Sequence, residues 1–91
     1  MKSGRRPKNK TEGAAYDYLV SNGWSVTKRG WPDFFCIKDG QMAVVEVKPR
    51  RSNKLKWNQA VVMRMLIGHG VKCYRFDGDD GLVELHWYDD I

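Results

Sequence analysis

The sequence predicts an α/β domain: a helix–strand–strand–strand–helix–strand core (αβββαβ) with an extra edge strand, forming a mixed sheet flanked by helices. Three observations predict it. Asp39-Gly40 separates two strand-like runs and is a favoured pair for a two-residue hairpin turn, because both positions of that turn need positive φ. Two other stretches carry apolar residues at helical spacing. The second of these lies between two strand-like runs, and strands joined through a helix are expected to pair in parallel with a right-handed crossover. Ninety-one residues leave room for one domain and one core.

In chain order, residues 1–10 are polar, hold five basic residues and no acid, and read as a flexible basic arm; residues 11–91 read as the domain. Thr11 is expected to cap a helix that runs to about Asn22, with Gly23 as its stop. Its inward stripe would be Ala15, Tyr16, Leu19 and Val20. Glu12 stands three, four, seven and eight residues before these and shares their face. It is either a solvated first-turn acid that suits the helix dipole or a group directed inward for a purpose. Trp24-Ser25-Val26 reads as a first strand and residues 28–32 as a loop. Pro32 holds Trp31 extended and delivers Asp33 to the start of the second strand, about 33–38. The third strand is expected at 41–48.

Counting outward from the turn, Lys38 faces Gln41, Ile37 faces Met42, Phe35 faces Val44 and Asp33 faces Glu46. Directly opposed Cβ atoms in a hairpin lie roughly 4.5–5.5 Å apart. Two carboxylates so placed repel unless a cation lies between them. Lys48 projects from the same face as Glu46, two residues on. The opposite face carries Phe34, Cys36, Ala43, Val45 and Val47, so both faces need cover and the hairpin belongs in the middle of the sheet. Ser52 or Asn53 is expected to cap a second helix that ends near Ile67, before Gly70. Gln59 continues its Val62, Met63, Leu66 stripe and is either a cap or a site residue. Trp57, Ala60 and Val61 widen its apolar surface, and Met65 is a further candidate for it. Residues 71–76 and 82–87 read as a fourth strand and an edge strand.

Of the charge, 16 Lys and Arg against 11 Asp and Glu give +5. Residues 48–56 hold five bases, and residues 77–91 hold six acids and no Lys or Arg. Two basic segments in a small domain point to a polyanionic partner. Cys36 and Cys73 sit in apolar runs and are expected as buried free thiols, as in a reducing, cytoplasmic compartment. No apolar run is long enough for a signal h-region or a bilayer span.

The run Pro32-Asp33, twelve residues, then Glu46-Val47-Lys48 resembles the signature of the PD-(D/E)xK nuclease superfamily. The longer pattern Gly30-Trp31-Pro32-Asp33, Glu46-Val47-Lys48-Pro49, Gln59 and Gly70 resembles its VRR-NUC family, in the stand-alone form similar to Holliday-junction resolvases. The resemblance covers about residues 11–76. It implies a PD-(D/E)xK restriction-endonuclease-like core and a Mg²⁺- or Mn²⁺-dependent endonuclease acting on branched DNA such as four-way junctions. Asp33, Glu46 and the Val47 carbonyl would bind the metal, joined by Glu12 directly or through water. Lys48 would orient the attacking water or stabilise charge on the phosphate, and Gln59 would hold Lys48 or the water. Arg5, Arg6, Lys8, Lys10, Arg50, Arg51, Lys54 and Lys56 are the expected DNA contacts. A homodimer is expected, with a helicase or other repair or replication partner left open. The alternatives are a non-catalytic nucleic-acid-binding module with the same fold, or RNA as substrate.

Overall fold

The second helix crosses over a sheet whose two faces are each closed by one helix. The computed structural model describes residues 3–28 and 30–91; Met1 and Lys2 of the expected arm and Arg29 of the expected loop lie outside them. The elements are α1 (Lys10–Ser21), β1 (Ser25–Lys28), β2 (Phe34–Lys38), β3 (Gln41–Lys48), α2 (Trp57–Gly68), β4 (Lys72–Asp77) and β5 (Gly81–Glu84). The sheet order is β1-β2-β3-β4-β5. Only β3 and β4, the pair joined through α2, run parallel. The architecture is therefore α/β with a mixed sheet and an edge strand, as expected.

Alternation along the central strands divides the core into two layers, one on each face of the sheet. Phe34, Cys36, Ala43 and Val45 pack with Ala15 and Leu19 of α1. Val44 and Cys73 pack with Ala60 and Met63 of α2 and with Leu55 and Leu85. Each fully buried Phe, Leu, Val or Met side chain among them contributes roughly 1.5–3 kcal/mol. Both cysteines are free and buried. No helix among the described residues is long and apolar enough to cross a membrane.

The structure moves several expected boundaries. The cap of α1 is Asn9, not Thr11: its side-chain oxygen accepts the Glu12 N–H at 3.1 Å. Val20 is exposed, because the buried stripe centres on Ala15 and Leu19. Neither Ser52 nor Asn53 caps α2. Asn53 instead exchanges bonds with Arg50, closing a turn, and buried Leu55 anchors the segment before the helix starts. Val62 is exposed and Met63 wholly buried. The edge strand stops at Glu84, because His86 and Asp89 form a turn and Arg64 donates to the carbonyls of Trp87 and Asp89.

The basic segment expected to be a free arm makes defined contacts in its described part. Gly4 N–H donates to the Val26 carbonyl at 2.8 Å, and Ser3 Oγ accepts the Val26 N–H at 3.0 Å. Arg6 crosses α1 over Gly13 and grips Asp17 with two bonds of 2.9 Å. A Cβ on Gly13 would come within 2.8 Å of that guanidinium.

Candidate functional site

The turn at the far end of the β2–β3 hairpin sets the site. Asp39 and Gly40 take φ of 52° and 77°, the double positive φ expected there. The pairs Lys38–Gln41, Ile37–Met42 and Phe35–Val44 follow, and the ladder closes at Phe34–Val45. One step further, side chains replace the ladder. Asp33 N–H donates to Glu46 Oε1 at 3.3 Å, and Val47 N–H donates to Asp33 Oδ2 at 2.9 Å. The two acids therefore meet where the sequence places them.

Glu46 is buried, with 4% of its surface exposed. Burial, then the charge of Asp33 and its hydrogen bond, pushes the Glu46 carboxyl up to about 7; Lys48 pulls the other way. Lys48 Nζ lies 3.4 Å from Glu46 Oε2 and donates to Gln59 Oε1 at 3.3 Å. The same Gln59 oxygen accepts the Lys56 N–H at 3.0 Å. Gln59 thus serves both roles open to it, capping α2 and holding the lysine.

Glu12 is placed differently. It faces the site from α1, but Lys28 Nζ takes its carboxylate at 2.6 Å and stands 3.8 Å from Asp33 Oδ1. The bond to Glu12 raises the Lys28 pKa. Lys28 is absent from the sequence-derived set because its place depends on β1 reaching Lys28, opposite Phe34. The expectation ends that strand at Val26. A second unforeseen pair, Arg75 and Asp77, lies on β4 beside β3, with Arg75 paired to Glu46 and Asp77 to Lys48 in register. Arg75 Nη2 donates to the carbonyls of Arg50 and Arg51 at 2.7 and 3.0 Å, tying down the loop that follows Lys48.

Whether these residues suit a divalent ion is a question of donor chemistry. Among the described residues no group of three or more His, Cys, Asp or Glu side chains is arranged to hold a metal. Mg²⁺ needs less: it commonly takes one or two carboxylates and fills its shell with waters and substrate phosphate oxygens. Asp33 and Glu46 fit that requirement, since a dication would offset both the burial cost and the Asp33 repulsion that together raise the Glu46 carboxyl. Among the described residues Glu12 reaches that pair only through the Lys28 ammonium, 2.6 Å from Glu12 and 3.8 Å from Asp33.

The raised Glu46 carboxyl has a signed consequence. An acid whose folded pKa lies above its unfolded value stabilises fully below the unfolded pKa, here about 4.5, and loses that contribution as pH rises through about 7. The loss amounts to about 3 kcal/mol. In chelator at about pH 8, Glu46→Gln is expected to melt above wild type, with the advantage gone near pH 4. Thermal melts across that range check it; parallel profiles for the two proteins would remove the claim.

The expected DNA contacts divide in two. Arg6 pairs with Asp17, Arg51 with Asp80 (2.6 Å) and Lys54 with Asp90 (3.5 Å), all at the surface. Exposed pairs of this kind add little stability and exchange readily for a phosphate. Among the described residues Arg5, Lys8, Lys10, Arg50 and Lys56 meet no carboxylate. Arg5, Arg6, Lys8 and Lys28 line a groove of ≈ 640 Å³, and Lys10 and Arg50 line another of ≈ 610 Å³. No protein-family model matches the chain, and no curated protein matches it.

Proposed function

We propose that this chain is a Mg²⁺- or Mn²⁺-dependent DNA endonuclease with a PD-(D/E)xK-type core, hydrolysing phosphodiester bonds in branched DNA. The observation that carries the reading is the contact of two acids at the mouth of the hairpin, one of them buried and raised to about 7, with an ammonium 3.4 Å away. Asp33, Glu46 and the Val47 carbonyl would hold the ion, which when bound lowers the pKa of a water and withdraws charge from the phosphoryl group. Lys48 supplies a positive charge fixed in advance of the reaction, in a site where little water competes. Gln59 keeps that charge from swinging away. Lys10, Arg50 and Lys56, with the arm residues Arg5, Arg6 and Lys8, grip flanking phosphates. Such contacts position a strand without reading its sequence and weaken with salt.

The direct test is cleavage of four-way junction, flap and single-stranded DNA by the full chain, with Mg²⁺ and with chelator. Metal-dependent cutting is expected. The contact of Lys28 with Glu12 favours a second reading, a non-catalytic nucleic-acid-binding module whose acids are neutralised by lysines alone. Binding without cleavage under any divalent ion would establish that reading instead.

One chain carries one such site, and cutting two strands needs two, so a C₂ homodimer is part of the proposal. The β5 edge is one candidate interface. The α2 surface of Trp57, Val61 and Met65 is the other; Trp57 is 82% and Met65 61% exposed. Sedimentation at micromolar concentration is expected to show a dimer. If α2 forms the contact, Met65→Lys weakens it about tenfold or more. A wild type that sediments only as monomer removes the dimer.

A further inference from the structure

Next to Gln59, the partner of Lys48, lies a cavity of ≈ 330 Å³ lined by Trp31, Lys56, Asn58, Gln59 and Val62. That volume is at the small end of ligand sites, roughly 300–1,000 Å³. Gln59 belongs to both places, since its oxygen receives Lys48 and its side chain lines the cavity. The lining is unusual in its hydrogen-bonding balance. Gln59 Oε1 takes two donors, from Lys48 and from the Lys56 backbone, which fixes which end of the amide is oxygen. Its Nε2 has no acceptor among the described residues. Asn58 Oδ1 accepts the Gln59 N–H at 3.0 Å, leaving Asn58 Nδ2 in the same position. Among the described residues the Trp31 indole N–H is buried without a partner, and Lys56 meets no carboxylate. Three residues with donors free of a protein acceptor, Lys56, Asn58 and Gln59, thus line one cavity that contains no carboxylate, and the indole of Trp31 closes it.

A ligand suited to this cavity offers acceptors to the Lys56, Asn58 and Gln59 donors and an apolar face to an indole and an isopropyl group. A bare phosphate satisfies the first condition and not the second. An aromatic hydrocarbon satisfies the second and not the first. A nucleobase satisfies both, with ring-nitrogen and carbonyl acceptors on its edge and π-faces that stack on Trp side chains. In continuous duplex both the faces and the pairing edge of a base are occupied, so only an unpaired or extruded base can enter. We infer that the Trp31–Asn58–Gln59 cavity receives one unpaired nucleobase of the substrate strand, close to the phosphate that Lys48 serves. The inference rests on the nuclease reading above and narrows its substrate to DNA with an unpaired nucleotide at the cut.

The test reads the cavity without requiring catalysis. The chain has four Trp, so its ¹H–¹⁵N spectrum carries four indole signals, and the one lost in Trp31→Phe is assigned to Trp31. The full chain in chelator is titrated with deoxynucleoside monophosphate, deoxyribose 5-phosphate, a short single strand and a duplex of equal length. The Trp31 indole and Asn58 amide signals are expected to shift with the mononucleotide and at lower concentration with the single strand. Neither the sugar phosphate nor the duplex is expected to move them. No shift, or equal shifts with the sugar phosphate, overturns the inference. A mononucleotide that binds more tightly than the strand overturns it in favour of a free-nucleotide site. In cleavage, Asn58→Ala is expected to slow cutting of an intact flap by about tenfold while leaving a flap abasic at that nucleotide unaffected. Cleavage without any base-dependent shift would sink this inference and leave the nuclease standing. Base-dependent shifts without cleavage would do the reverse.

Discussion

Lys48→Ala is expected to lower the metal-dependent cleavage rate by about 10²–10³-fold, the cost of removing one preorganised charge from a site where charge develops. Asp33→Asn should fall at least as far, because it removes half of the acid pair. Binding should barely change in either variant. Lys48 is mostly covered, with 15% of its side chain exposed, so it adds little to the nonspecific phosphate contacts that dominate affinity. Lys48→Arg is not expected to rescue, since a planar guanidinium does not occupy the space of an ammonium held between Glu46 and Gln59. Asp33→Asn carries a second expectation that a merely structural acid would not produce. Removing its charge relieves Glu46, so in chelator near neutral pH the inactive variant should melt higher than wild type. The measurement is single-turnover cleavage of a flap or junction beside binding in chelator. Variants that cut as fast as wild type would end the assignment of Lys48 and Asp33 to the chemistry.

What could be read in advance, and what could not, follows from how far each contact reaches along the chain. The Asp39-Gly40 turn is local chemistry, and it fixes the register of its own two strands; Asp33, Glu46 and Lys48 follow by counting. Gln59 was legible for the same reason, since helical periodicity places it on the face that meets β3. Lys28 was not. Its position depends on how far β1 pairs along β2, which is decided by packing against α1 rather than by residues 25–28 themselves. Asn9 and Thr11 are both good caps two residues apart, and only the fit of Asn9 to the Glu12 N–H separates them. The start of α2 is not legible locally, because Ser52-Asn53 has the chemistry of a cap while Asn53 closes a turn on Arg50. In the sequence the fourth strand ends at Phe76, and Asp77 falls in the acidic segment that follows it. The burial of Arg75 and Asp77 comes from the parallel pairing of β4 with β3 and from a loop 24 and 25 residues away in sequence, which no local pattern displays.

That buried pair supports the other large expected effect. Asp77→Ala should cost about 3–5 kcal/mol, the usual loss when one member of a buried ion pair is removed and the other is left uncompensated. Arg75 Nε lies 3.1 Å from Asp77 Oδ2, with 9% and 1% of the two side chains exposed. Burial alone would raise the Asp77 carboxyl. The N–H groups of Asp80 and Asp79 and the Arg75 guanidinium outweigh it and hold the carboxyl below its ordinary value. Asp77 therefore stabilises above its unfolded pKa and loses that contribution as pH falls through its lowered folded value, opposite in sense to Glu46. For a domain of this size the expected loss corresponds to a melting point lower by about 12 °C or more. Replacing both partners with apolar residues, Arg75→Met with Asp77→Leu, should recover much of it, because no charge is then left buried. The pair also holds the carbonyls of Arg50 and Arg51, so Arg75→Met alone should loosen the loop that carries the basic residues after Lys48. DNA affinity should then drop together with stability, although neither residue touches the substrate. Denaturant melts of the two single variants and the double variant, with binding measured on each, decide the matter. Single variants that unfold within about 1 kcal/mol of wild type would mean that the buried pair contributes no more than a surface one.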